Sequence, residues 1–138
     1  MRIMGLDVGE KRIGIALSDP MGWTAQGYSV LTRKDLGHDL AEIKKICEEK
    51  EVEEIVIGLP RNMNGTLGPK AEEVQKFGSK VMEHTGIKVT YWDERLSTVS
   101  AEKVLLAADV SRRRRKEVID KLAAVNILQN YLDYINRA

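Results

Sequence analysis

The chain predicts an α/β domain: a five-stranded mixed sheet with helices on both faces. Two observations predict it. Residues 1–31 form apolar or alternating runs separated by turn residues, the pattern of an antiparallel meander. From residue 36 onward the apolar period lengthens to three and four, and short apolar runs alternate with these helical stretches. Strands alternating with helices build parallel pairs covered on both sides. At 138 residues the chain is expected to be one domain, residues 1–138. A domain of that size buries roughly two-thirds of its unfolded surface and needs no staples.

The elements follow in order. Residues 2–7 are a short apolar run, and 11–18 alternate with Ile13, Ile15 and Leu17 on one face. Val8-Gly9-Glu10 between them reads as a hairpin turn. A third strand over 24–31 follows the Asp19-Pro20-Met21-Gly22 turn. Leu36, Leu40, Ile43 and Cys47 then mark an amphipathic helix. Ile55-Val56-Ile57, in the run 54–58, suits a strand buried on both faces. A polar loop covers 61–68, Pro69 opens the next helix and Gly86 stops it. Residues 87–92 are the fifth strand. Ser97 or Thr98 caps a helix reaching about Ala108. The basic run Arg112 to Lys116 leads into a last helix, 117–136, striped by Val118, Leu122, Val125, Leu128, Leu132 and Ile135.

Composition narrows the function classes. A hydrophobic fraction of 43% with 31% charged residues excludes a disordered chain. A net charge of +1 excludes a uniformly basic nucleic-acid coat and leaves room for a local patch. The single cysteine, Cys47, forbids an intrachain disulfide and reads as a small buried hydrophobe. No stretch approaches the roughly 18 apolar residues of a membrane span. Asp7 interrupts the N-terminal apolar run, unlike a signal peptide, so the expected place is the cytoplasm.

Three acids stand where chemistry could use them. Asp7 ends the first strand beside the Gly9 turn, and Asp93-Glu94 ends the fifth. Asp120 falls in the expected first turn of the last helix, with Ala123 and Ala124 one turn on to let that helix approach the sheet. Carboxylates gathered at strand ends suit hard divalent cations, and such cations serve in-line phosphodiester chemistry. Each acid also has an ordinary reading. Asp7 could be a turn aspartate, Glu94 with Arg95 a surface ion pair, and Asp120 a carboxylate favoured by the helix dipole. In the 61–68 loop, Asn62 and Asn64 could contact phosphate or order the loop itself. The basic run could guide a polyanion or simply be solvated. Aromatic residues, 5% of the chain, present no evident stacking platform.

Four segments, GLDVGEKRIGIALSD (5–19), the GLPRNMNGT loop (58–66), DERLST (93–98) and DKLAAVNILQNYL (120–132), together resemble the YqgF (RuvX) family over essentially the whole chain. The resemblance implies a ribonuclease-H-like fold, similar to the RuvC-type junction resolvases, with sheet order 3-2-1-4-5. It implies a nuclease using one or two Mg²⁺ or Mn²⁺ ions on structured nucleic acid, either the 5′ end of precursor small-subunit rRNA or branched DNA. Ribosomal particles would be partners, no membrane would be involved, and the protein would be a monomer or homodimer. By position, Asp7, Glu94 and Asp120 would be the catalytic metal ligands. Lys11, Arg12, Asn62, Arg95, Arg113 and Arg114 would face the substrate. Asn64 stands where an Asp is common in the family, so this loop supplies no expected ligand. The related resolvases take an acid from the fourth strand, which here ends Gly58-Leu59-Pro60. Strands one and five lie two spacings of about 4.8 Å apart. Glu94 would therefore have to reach across the fourth strand's end through the space Gly58 leaves, with Asp93 pointing away.

Two other classes compete. One is a non-catalytic nucleic-acid-binding factor in ribosome assembly or transcription. The other is an actin-like ATPase, suggested by the Asp7-Val8-Gly9 turn, which would need two such domains.

Overall fold

A computed structural model describes residues 1–94 and 112–137. Strands β1 (Arg2–Val8), β2 (Arg12–Ser18), β3 (Ala25–Thr32), β4 (Val52–Leu59) and β5 (Lys88–Asp93) form one sheet in the order β3-β2-β1-β4-β5. The β1–β2 and β2–β3 pairs are antiparallel, and β1–β4 and β4–β5 are parallel. This is the expected mixed sheet, in the order the resemblance implied. Helices α1 (Leu36–Lys50), α2 (Pro69–Thr85) and α3 (Arg112–Ile135) complete the described elements. The helix expected from Ser97 or Thr98 lies outside the described residues. Among the described helices none is long and apolar enough to cross a membrane.

Local chemistry sets the boundaries. Gly9 N–H donates to the Arg12 carbonyl (2.9 Å) and closes the β1–β2 turn. The Asp35 side chain caps α1 by accepting from His38 N–H (2.8 Å). Pro69 opens α2, and Gly86, at φ +71°, ends it with its N–H on the Met82 carbonyl.

Strand alternation then sorts side chains onto two faces. Met4, Leu6, Ile13, Ile15, Ile55 and Ile57 point to α1 and α2, where Ile43, Cys47, Val74, Phe77 and Val81 complete the larger core. Burial pushes the Cys47 thiol up to about 12, as expected of a cysteine used for packing. Ile3, Ala16 and Val56 point the other way, to Ala124, Ile127, Leu128, Tyr131 and Leu132 of α3. Here helix and sheet approach closely. A Cβ on Gly14 would run into the Asp120 carbonyl oxygen, and one on Gly5 would lie 2.8 Å from Leu128 Cβ. Only glycine permits that approach.

Two expectations about the last helix need correction. It begins at Arg112, not 117, so the basic run is itself helical. Asp120 therefore lies about two turns into the helix, and no acid occupies the first turn. The dipole account of Asp120 fails, because the dipole's influence fades within one turn. The buried stripe is also rotated from the expected one. Leu128 and Leu132 belong to it, but Ala124, Ile127 and Tyr131 complete it, and Ile135 is 41% exposed. The cause is the sheet's glycine floor, which takes the small Ala124 face, together with a buried partner for the Tyr131 hydroxyl on β4.

Candidate active site

The site forms where β1, β4, β5 and α3 meet. On β1, alternation turns Ile3, Gly5 and Asp7 toward α3. On β5 the same alternation gives Thr90 and Trp92 to α3, while the Tyr91 hydroxyl reaches the Gln75 carbonyl of α2 at 3.0 Å. One step beyond the strand it separates the two adjacent acids. Glu94 inherits the α3 face, and Asp93 stands 3.8 Å from Arg61.

Glu94 reaches Asp7 across the end of β4. A Cβ on Gly58 would lie 2.5 Å from Glu94 Oε1 and 3.0 Å from its Cγ, so the absent side chain is the passage. The two carboxyl groups share a hydrogen bond. Asp120 approaches from above. Gly14, which α3 touches through the Asp120 backbone, is the register partner of Asp7. Asp120 Oδ2 accepts from Arg12 Nε at 2.6 Å.

Asp7 carries the electrostatic record of this gathering. Burial, then the charge and hydrogen bond of Glu94, then the charge of Asp120 push its pKa up to about 7, against an opposing pull from Lys70. Burial, the largest of these causes, and the two neighbouring acids together outweigh Lys70.

Of the other expected site residues, Arg12 lies in this cluster. Lys11 is an exposed hairpin residue. Asn62 turns inward on its own loop, its amide donating to Thr66 Oγ1 at 3.0 Å, and Asn64 Oδ1 accepts from the Thr66 N–H and hydroxyl. Arg95 lies outside the described residues. Arg113 and Arg114 fall in the first turn of α3, and their side chains lie outside the description.

Two contributors were missed. Lys70 sits in the first turn of α2, where the helix dipole disfavours a cation. A lysine directly after a helix-opening proline was the available signal. Arg33 braces the turn behind Asp7, donating from Nη1 to the Gly9 carbonyl (2.9 Å) and from Nε to Asp39 (3.1 Å). Burial works against the Asp39 charge, but His38, the Lys34 N–H and Arg33 outweigh it and hold its pKa below the usual value. Nothing local in the sequence ties Arg33 to Gly9.

The donor chemistry fits a divalent metal. Three carboxylates supply the oxygens that hard cations take, and the raised Asp7 pKa reflects burial beside two other acids. The arrangement is not a closed cage: among the described residues no three His, Cys, Asp or Glu side chains are placed to hold one ion. The Asp120 carboxylate is instead engaged by Arg12.

Comparison with solved structures defines the class. The fold matches the Thermus thermophilus RuvC in complex with a Holliday junction substrate, at a TM-score of 0.61 and 14% identity over 100% of this chain and 98% of that one. It also matches the fowlpox virus resolvase in complex with Holliday junction DNA, at 0.58 and 11% over 99% and 100%. The chain has the ribonuclease-H-like fold that these two proteins share. Its family follows from sequence. The profile of the RuvX family, described as Holliday junction resolvase, matches residues 1–134. A protein of Syntrophomonas wolfei named "Putative pre-16S rRNA nuclease" is 66% identical over 96% of this chain and 94% of its own length. One of Carboxydothermus hydrogenoformans with the same name is 60% identical over 97% of each. This chain belongs to the RuvX family.

Proposed function

We propose that this protein is a divalent-metal-dependent endonuclease that processes the 5′ end of precursor 16S rRNA in the cytoplasm, with residues 1–138 acting as one nuclease domain. The observation that carries the reading is the contact of Glu94 with Asp7 past Gly58, with the charge of Asp120 near enough to raise the Asp7 pKa. Asp7 and Glu94 would hold Mg²⁺ or Mn²⁺, and Asp120 would join them by releasing Arg12. Such an ion supplies charge neutralisation and activation of water for displacement at phosphorus. Asp7, half-buried beside Glu94 and Asp120, is the acid with most to gain from a cation. Arg12, released from Asp120, and Lys70 provide positive charge for the phosphate. The exposed Lys11, Arg95 and the helical Arg113 and Arg114 would contact the backbone without reading sequence. Asn62 would serve the substrate by shaping its loop.

Precursor rRNA is preferred to a DNA junction because the relatives named for it are 60–66% identical, whereas the resolvases share the fold at 11–14%. The test offers a labelled precursor fragment and a four-way DNA junction to the protein with Mg²⁺ or Mn²⁺. Cleavage of the RNA, lost in Asp7→Asn, is expected. Cutting of the junction alone would move the substrate to DNA. Cleavage undiminished in Asp7→Asn would end the mechanism.

A further inference from the structure

A groove of about 820 Å³ runs along β5, an outer strand of the described sheet, beside the C-terminal half of α3. Its aromatic members come from distant parts of the chain. Trp92 meets Tyr131 edge-on, with ring centroids 6.0 Å apart, and lies tilted 5.6 Å from Tyr134. Tyr131 is anchored, its hydroxyl donating to the buried Glu54 at 2.5 Å, whereas Tyr134 is 57% exposed. The Arg137 guanidinium lies 5.8 Å from the Tyr134 ring. Asn130, Asp93 and Asp133 also line the groove, as does Arg61. The buried Trp92 indole N–H has no acceptor among the described residues.

We infer that this groove binds an unpaired nucleobase of the nucleic-acid substrate, stacked on Tyr134 and Trp92. The inference deepens the nuclease reading and rests on it for the identity of the polymer. Three features favour a base. The two acids balance the two arginines, so the groove is built for an uncharged planar group and not for phosphate. Aromatic faces beside carboxylate and amide side chains are what proteins use to stack a splayed base and read the amino groups on its edge. The location also fits. Trp92, near the end of β5, and Glu94, just beyond it, both lie toward α3 and are two residues apart, about 7 Å at strand rise. A base held at Trp92 therefore sets its own backbone next to the acids. The substrate feature this implies is an unpaired nucleotide beside the cut, as a single-stranded precursor end has and the arms of a fully paired duplex lack.

The chain has two tryptophans, so Trp23→Phe leaves Trp92 as the only indole reporter. With EDTA present to prevent cleavage, that protein is titrated with a short single-stranded oligoadenylate and, separately, with a blunt RNA duplex. The expected result is saturable quenching by the single strand and little by the duplex. Tyr134→Ala is expected to weaken the single-strand affinity about tenfold, the scale of one stacked base. Tyr28→Ala, on β3, should leave it unchanged. In cleavage of the precursor fragment, Tyr134→Ala should raise KM by a similar factor at nearly constant kcat. Equal quenching by the blunt duplex, or a Tyr134→Ala affinity equal to the parent's, would overturn the base site. The two readings separate cleanly. Quenching without cleavage by the metal-loaded parent leaves the base site standing and removes the nuclease. Cleavage without quenching does the reverse.

Discussion

The two faces of the sheet are built on opposite rules. Toward α1 and α2 the strands present large aliphatic side chains, with Leu6, Ile13, Ile15, Ile55 and Ile57 packed against Ile43 and Val81. Toward α3 they present Gly5, Asp7, Gly14, Ala16, Glu54 and Gly58. One face gains stability by burying apolar area. The other keeps a smaller apolar core around Ile3 and Val56 and gives up the rest of that area so that a helix can lie on the backbone and Asp7 and Glu94 can meet. The same alternation serves both, so each strand carries stability and chemistry on alternate residues. The difference implies that substitutions on the two faces should separate folding from activity.

The largest combined effect, on stability and cleavage together, is expected at Gly14. Even alanine there collides with the α3 backbone, which cannot yield as a side-chain tip would. Gly14→Ala should cost about 1–3 kcal/mol or more by overpacking and should abolish cleavage by moving Asp120. Urea unfolding and a cleavage assay on the same preparation check both. On the opposite face, Ile43→Ala should cost about 2–5 kcal/mol yet leave kcat unchanged well below its lowered Tm. Loss of kcat in a still folded Ile43→Ala would contradict the division of labour.

At Asp7 the two quantities should move in opposite directions. In metal-free protein its pKa is about 7 against an ordinary 3.8, so the fold disfavours its charged form. The stability tied to this proton is full below about pH 4 and is lost as pH rises through about 7. Asp7→Asn removes that loss. In EDTA at pH 8 the variant should be more stable than the parent by a few kcal/mol, an order-of-magnitude figure for a shift of this size. The gain should vanish toward pH 4, while cleavage is lost throughout. Added Mn²⁺ should raise the parent's Tm and leave the variant's nearly still. Calorimetry across pH and metal, with no gain for Asp7→Asn in EDTA, would contradict the raised Asp7 pKa.

Much of this was legible in the sequence, for identifiable reasons. The strands and helices follow from hydrophobic period, and Pro69 and Gly86 mark α2 because their backbone restrictions are local. The choice of Glu94 over Asp93 as neighbour of Asp7 follows from strand alternation and the vacancy at Gly58, both readable before any coordinates. What was not legible depends on helix phase and long-range contact. The start of α3 was missed because five consecutive basic residues have no apolar period, and its buried stripe was misassigned because the sheet's glycines select Ala124. The groove aromatics escaped notice because Trp92 and Tyr134 are far apart in the chain and meet only once α3 lies across β5. Lys70 and Arg33 act through space on a turn they do not adjoin.

The smallest predicted effect sharpens the comparison most finely, because it concerns the polar part of the α3 face with no acid of the site touched. Glu54 is 7% exposed and is satisfied by the Tyr131 hydroxyl at 2.5 Å and Thr90 Oγ1 at 2.8 Å, with Lys88 3.9 Å away. This network fixes α3 to the β4–β5 side of the sheet, as Gly14 and Asp120 fix it to β2. Tyr131→Phe keeps the ring and its contact with Trp92 but removes one charge-assisted donor. The expected cost is about 1–3 kcal/mol, offset in part if water reaches the carboxylate. Because Gly14 and Gly58 still set the approach of helix to sheet, kcat should stay within about twofold, a change worth only about 0.4 kcal/mol. A loss of kcat as large as that of Gly14→Ala, in a variant of unchanged secondary structure, would mean that the Glu54 network, and not the glycine floor, places Asp120.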